Sequence, residues 1–468
     1  MKIKLISPDP QWDSSISSSE THKVLKVSLP LLAALTPPEH EIKIVDEAFA
    51  ADDVEEAVDL VGLTVMTELA PRAYRLAELY RKRGVKVVLG GIHPTVLPGE
   101  ALRHADAVVV GEGEEAWPRL VRDAAAGKLA RVYQAPGLSD LSRLPIPARW
   151  LYPRPARRTL TPLGIGIEAS RGCPYDCEFC SIGRVMGRAY RARPVGRVLD
   201  EIAAIDSERL FFVDDALALD RSTAKTLFTE MIPFRCKWIG QGTLSLAEDL
   251  DLLRLMRRAG CHGLLVGFET VSPAARETMR KSRSLKISPA EAARRFHGEG
   301  IPLLGAFIFG FDGETEDVFD RTVEFALKLR LDALQVRLLW PFPGTALYQR
   351  LLAEGRLLVP EWWLEDYQPG KLLYRPQGMT PEALVTGVAR VQKELYAWSG
   401  IASRFFGINP LKRRPMDLAL YAGLNLGQRK RYYAELRAQA DDSPTVRART
   451  SETPASGSPP RRDFRPLS

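Results

Sequence analysis

The chain has 468 residues, too many for a single hydrophobic core, so roughly two to four domains are expected. Hydrophobic residues make up 45% and charged residues 26%, which excludes disorder over most of the length, and no apolar run approaches the roughly 18 residues of a membrane span. The formal charge of +7 does not mark a polyanion binder: between Leu411 and Ser468 twelve Lys and Arg face six Asp and Glu, leaving about +6 there and a nearly neutral remainder. Nucleic acid is therefore not an expected partner.

Met1 to Pro8 enters a strand-like pattern directly rather than a signal peptide, so a cytoplasmic protein is expected. Short apolar runs at Ile3 to Ser7, Ile42 to Val45, Leu60 to Val65, Val85 to Leu89 and Ala107 to Val110 read as buried parallel strands. Between them, Ala73, Leu76, Ala77 and Tyr80 recur at helical spacing, with Pro71 suited to a first turn and Gly84 to a C-terminal cap. Residues 1–135 are thus expected to form a doubly wound, Rossmann-like α/β domain. Residues 136–161, rich in Pro and Arg without a sustained period, read as a linker.

A second alternating series has strands at Leu163 to Ile167, Leu210 to Val213, Lys237 to Gly240, Gly263 to Phe268, Leu303 to Phe309 and Ala333 to Leu338. Six such units suggest an open (β/α)6 barrel over residues 162–365. Thr380-Pro381-Glu382 starts a helical region over 366–440, and the Ser/Pro/Arg-rich stretch 441–468 has too few apolar residues to join a core, so it is expected to be disordered.

Three of the five cysteines crowd into Ser170-Arg171-Gly172-Cys173-Pro174-Tyr175-Asp176-Cys177-Glu178-Phe179-Cys180, directly after the first barrel strand. Cys236 and Cys261 are isolated and read as small buried hydrophobes. Thiolates are soft ligands for iron or zinc, yet structural zinc and ferredoxin-type clusters take four protein ligands, and no fourth stands in register here. Three thiolates leave one metal atom open.

This spacing, with Phe179 before the last cysteine, resembles the radical S-adenosylmethionine (radical SAM) superfamily. The resemblance implies that Cys173, Cys177 and Cys180 hold a 4Fe-4S cluster whose open iron chelates S-adenosylmethionine. It also implies that an electron from the cluster cleaves the sulfonium to a 5′-deoxyadenosyl radical, with flavodoxin or ferredoxin as a donor. Residues where strands end, Asp215, Gln241, Glu269, Ile308 and Gly310, together with Phe179, are the candidate contacts to the cosubstrate, because ligands of parallel sheets bind at carboxyl ends. Asp214 reads equally well as a satisfied structural carboxylate. Ala306 stands where the family's fifth-strand motif has its first glycine.

Gly90-Gly91-Ile92-His93 and Gly111-Glu112-Gly113 follow the fourth and fifth strands, where glycines let a bulky ligand approach the backbone. Joined to such a barrel, this resembles the cobalamin-binding subfamily and implies a corrin near Gly90, Gly91, His93, Gly111 and Gly113. The loop Pro8-Asp9-Pro10-Gln11-Trp12-Asp13 offers no lower axial histidine, and His93 reads as ordering its own loop. The resemblance implies C-methylation of an unactivated carbon in a small or lipid-like molecule, such as a hopanoid or tetrapyrrole. Cyclisation, oxidation or carbon–carbon bond formation without methyl transfer is the alternative, and a non-catalytic iron-sulfur or corrin sensor a third reading. Trp398, Phe405, Phe406, Tyr421, Tyr432 and Tyr433 mixed with Lys412, Arg413, Arg414, Arg429, Lys430 and Arg431 read either as aromatics that cover the barrel beside a solvated basic face or as peripheral contact with an anionic membrane.

Overall fold

Six parallel strands, β1 (Lys2–Ser7), β2 (Glu41–Asp46), β3 (Leu60–Thr64), β4 (Lys86–Gly90), β5 (Ala107–Val110) and β6 (Val132–Gln134), form the first sheet in the order β2-β1-β3-β4-β5-β6. A computed structural model describes residues 1–9, 24–152, 164–205, 207–280, 286–365, 371–406 and 414–441, with side chains to Tyr433 in the last helix. Both faces of this sheet are buried, which is why its strands are apolar almost throughout. Ile6 joins Ala73, Leu76, Ala77 and Tyr80 of the helix Ala70–Lys82 on one face. Ile3 and Leu5 meet Leu29 and Trp117 of the helices Ser28–Leu35 and Ala116–Ala125 on the other. Lys4 breaks the pattern: fully buried, it is held by Asp52 at 3.1 Å, Glu56 at 2.7 Å and the Tyr80 hydroxyl at 2.9 Å. The chain winds one way from β1 to β2 and the other way from β1 to β3, so the crevice beyond their carboxyl ends is the topological switch point where such sheets bind ligands.

The second sheet is parallel and open, with β7 (Ile165–Ile167), β10 (Arg209–Phe212), β11 (Lys237–Gly242), β12 (Cys261–Glu269), β13 (Leu303–Phe309) and β14 (Ala333–Leu338) in the order β14-β13-β12-β11-β10-β7. A two-stranded antiparallel ribbon, β8 (Ser170–Arg171) with β9 (Arg191–Ala192), brackets the cysteine loop. Alternate residues divide between two environments. Leu264, Val266, Phe307, Leu334 and Val336 pack outward against helices, whereas Ala306, Ile308, Gln335 and Arg337 share the half-buried inner face. At the base of the lumen Phe211, Ile239, Leu304 and Ala333 meet Leu420 and Leu424 of the helix Pro415–Asp441, which closes that end. Arg404, wholly buried, donates to the carbonyls of Leu331, Asp332 and Leu395 and to Asn425, and Asp417 takes His262 and Arg257.

The two sheets are stitched together. Leu25 bridges β7 in parallel, and its carbonyl accepts from the Gly166 N–H at 3.0 Å. Glu112 and Glu114, in the loop after β5, take Arg171 at 3.3 and 2.7 Å, and Glu112 also takes Arg191. Beyond β14, Trp340, Phe342, Tyr348, Trp362, Trp363 and Leu373 pack into the core of the first domain. In the C-terminal helices Tyr421 and Tyr432 are buried and Arg414 donates to the Cys261 carbonyl, so these residues serve the interior rather than a surface. Arg429 lies 4.6 Å from the Trp398 and Tyr433 ring centres, and Trp398 and Phe406 are exposed. Lys412, Arg413, the stretch Pro10 to Asp13 and the tail from residue 442 lie outside the described residues. Among the described residues no helix is long and apolar enough to cross a membrane.

Candidate functional site

The cysteine loop is shaped by its first residue. Gly172 has φ of +85°, and a Cβ there would stand 2.4 Å from the Ala189 carbonyl oxygen, so only glycine fits. Its N–H donates to Asp215 at 3.1 Å, tying the loop to the end of β10. The Cys180 N–H closes a turn on the Cys177 carbonyl at 3.1 Å, and Glu178 is pinned on both sides, its N–H to Met279 O at 3.2 Å and its carbonyl from Leu347 N–H at 2.8 Å. All three thiols are half-buried. Burial pushes the Cys180 thiol up, and the Cys173 thiol, Asp215 and Glu269 nearby push it further. An electron-rich corner of this kind is relieved by a cationic metal group. Among the described residues no three Cys, His, Asp or Glu side chains converge on a single-ion position. A polynuclear cluster differs from such a position in that each thiolate takes its own iron.

The lumenal rim carries the other expected contacts. Glu269 has φ of +60° at a register shift between β12 and β13, so a bulge turns its side chain at the strand end and stores strain at the mouth. Asp215, Gln241 and Ile308 are half-buried at the ends of β10, β11 and β13. Phe179 meets Phe311 edge to face at 5.4 Å. Asp214, by contrast, accepts from the Ala169 N–H at 3.1 Å and the Ser170 hydroxyl at 2.5 Å, and burial pushes its carboxyl up to about 7. It is a structural tether. Gly310 spends both backbone groups internally, its N–H on Glu314 at 2.7 Å and its carbonyl on the Tyr374 hydroxyl at 2.6 Å, and a Cβ there would strike that hydroxyl at 2.1 Å. Its glycine is explained by the closeness of Tyr374.

Over the first sheet, Gly91 has φ of +104° and lies so close to the Val65 backbone that a Cβ would stand 3.0 Å away. At Gly90 a Cβ would meet only Val109, and at Gly111 and Gly113 the space is open or in ordinary contact. These small residues leave the ends of β4 and β5 clear, as a flat macrocycle needs. His93 is wholly buried: its Nε2 lies 2.9 Å from the Tyr74 hydroxyl and 3.1 Å from Glu100, while Nδ1 finds no hydrogen-bond partner among the described residues. Burial opposes ionisation of Glu100, yet His93, Tyr74 and Trp363 outweigh it and hold the carboxyl down to about 2. This cluster orders the loop after β4.

Two features had no local signal. Gln335 and Arg337 reach the inner face because β14 alternates, which the sequence of one strand does not orient. Glu178 is linked through Arg350 to Asp312, residues far apart in the chain.

A parallel sheet set against the mouth of an open parallel barrel, with three thiols on the loop after the first barrel strand, is the arrangement that the resemblance to cobalamin-binding radical SAM enzymes implies. The B12 binding domain model matches residues 29–121 and the Radical SAM superfamily model residues 167–326. The chain thus carries a B12-binding domain followed by a radical SAM domain, the pairing that its sequence resembles. It is 28% identical to the bacteriochlorophyllide d C-12(1)-methyltransferase of Chlorobaculum tepidum over 87% of this chain and 90% of that one. With the hopanoid C-2 methylase of Rhodopseudomonas palustris it shares 29% identity over 70% and 64%. Its fold matches that of the radical SAM methyltransferase TsrM of Kitasatospora setae, solved with cobalamin and a 4Fe-4S cluster, at a TM-score of 0.60 and 20% identity over 75% of each chain.

Proposed function

We propose that this enzyme cleaves S-adenosylmethionine at a cluster held by Cys173, Cys177 and Cys180 and methylates an unactivated carbon of a lipid-like, tetrapyrrole or natural-product substrate. The observation that carries this reading is the cysteine loop at the barrel mouth, fastened by Arg171 to the glycine loop of the cobalamin-binding domain. When bound, the cluster supplies the electron that breaks the sulfonium and cobalamin supplies the methyl group. The chain's own residues position and enclose. Phe179 and Ile308 wall the cosubstrate's place, Asp215 holds the loop through Gly172, and Glu269 faces the thiols. The aromatic segment around Trp340, Phe342 and Trp362 seals the barrel to the first domain and keeps water out. No acid or base is assigned, because the radical steps belong to the cofactors. The named relatives act on a bacteriochlorophyllide and a hopanoid, both bulky and largely apolar, which supports a substrate of that class. Peripheral contact with an anionic bilayer through Trp398, Phe406 and Lys430 belongs to the same proposal.

Anaerobic turnover with methyl-labelled S-adenosylmethionine and candidate tetrapyrroles and hopanoids tests it, following 5′-deoxyadenosine and label together. Label in product with matching deoxyadenosine supports it. Deoxyadenosine with an altered but unlabelled product overturns the methyl transfer, and an absence of deoxyadenosine overturns the whole reading.

A further inference from the structure

The cysteine loop and the end of β13 are joined at two consecutive residues on each side. Phe179 packs directly on Phe311. Its neighbour Glu178, between Cys177 and Cys180 and only 6% exposed, accepts from Arg350 Nε at 3.3 Å and Nη2 at 3.0 Å. The same guanidinium donates from Nη1 to Asp312 at 2.5 Å, the residue after Phe311. Asp312 is 8% exposed and is also held by Arg356 at 2.6 and 3.0 Å. Burial works against its ionisation, but the two guanidiniums prevail and hold its carboxyl below the usual range. Arg350 is the only ion-pair partner of Glu178 among the described residues. The helix Ala346–Ala353 that carries Arg350 has its own anchors, the Thr345 cap and the buried Leu347 and Leu351, so the bridge is not needed to dock that helix.

We infer that Arg350 is a positioning residue that sets the spacing between the cysteine loop and the end of β13, and with it the fit of S-adenosylmethionine between Phe179 and Ile308. The inference rests on the reading of the site given above. A planar guanidinium reaches both carboxylates at fixed angles, whereas an ammonium is a single point charge and cannot span them. Removing it leaves Glu178 buried and unpaired between two ligand positions, and the loop gives way to relieve that cost.

The test uses the full-length chain with reconstituted cluster. In Arg350→Gln the iron and sulfide content should stay at the wild-type level. Its Kd for S-adenosylmethionine should rise about tenfold, equivalent to about 1.4 kcal/mol, and the change that the cosubstrate produces in the paramagnetic resonance of the reduced cluster should weaken. Arg350→Lys should not restore either readout. Arg188→Gln, which breaks an exposed ion pair to Asp176 on the same loop, should leave both unchanged. If Arg350→Gln loses its cluster, Asp312→Asn cuts the other half of the bridge from outside the loop and should show the same loss of affinity. Wild-type affinity and signature in Arg350→Gln or Asp312→Asn overturns the inference, as does an equal loss in Arg188→Gln. A wild-type protein that holds no cluster or binds no S-adenosylmethionine refutes the underlying reading instead.

Discussion

The barrel has two ends built on opposite principles. At the base, charge is paired and sealed: Asp417 takes His262 and Arg257, Arg404 satisfies three carbonyls and Asn425, and Leu420 and Leu424 fill the lumen. At the mouth, charge is crowded and strained: Cys180, Asp215 and Glu269 feel one another, Glu269 sits at positive φ, and Asp214 and Glu314 are both pushed up to about 7 by burial. The base is arranged for stability alone. The mouth gives up stability at Cys180, Asp215 and Glu269, the groups proposed to meet a cluster and cosubstrate. Loss of function and loss of fold should therefore separate between the two ends.

The largest expected effect is at the mouth. Cys173→Ala, Cys177→Ala or Cys180→Ala should each abolish the brown cluster and deoxyadenosine formation, while circular dichroism stays that of the folded chain. One variant with full cluster content and cleavage breaks the ligand assignment. Next comes the base, where Arg404→Ala should destabilise the barrel by about 3 kcal/mol, because it strands buried acceptors. Protein that remains folded should still cleave S-adenosylmethionine. If cleavage falls in proportion to nothing but a local defect, without loss of stability, the two ends are not separate.

The third effect is a contrast in pH. Asp214 is raised by burial, against donation from Ser170 and Ala169, so the folded state favours its neutral form. Its contribution is fully present below its unfolded pKa near 3.8 and is lost as pH climbs through about 7. Burial also opposes Asp417, but His262 and Arg257 hold it down to about 2, so its contribution is fully present above 3.8 and is lost as pH falls toward about 2. Amide exchange between pH 5 and pH 8 should therefore lose protection around β10 and not around β12, and Asp214→Asn should flatten the β10 response. Equal slopes at both ends sink the contrast. The smallest effect belongs to the outer surface: Trp398→Ser with Phe406→Ser should change stability by no more than about 0.5 kcal/mol. It should also reduce salt-sensitive sedimentation with anionic vesicles, and wild-type protein that stays in the supernatant at low salt removes the membrane contact.

Eleven of the twelve main strands lie within about two residues of where apolar runs place them, since a strand buried on both faces must be apolar and the turns between need Gly and Pro. The three cysteines stand out for a similar reason: their spacing is local, within one loop. β6 escaped because Val132–Gln134 is a short edge strand with only Tyr133 buried. Lys4 is a charged residue within an apolar run, and its burial rests on the packing of Tyr80 with Asp52. The plug at the base and the Arg350 bridge were invisible for a different reason. Arg350 and Glu178 are 172 residues apart, and His262 and Asp417 are 155 apart, so no window of sequence contains both partners. Sequence alone decided what is periodic or contiguous: the strands, the helix caps and the cysteine loop. Which charges meet, which face of β14 lines the lumen and what closes its base were decided by the tertiary structure, because a buried ion needs a partner brought to it by the fold.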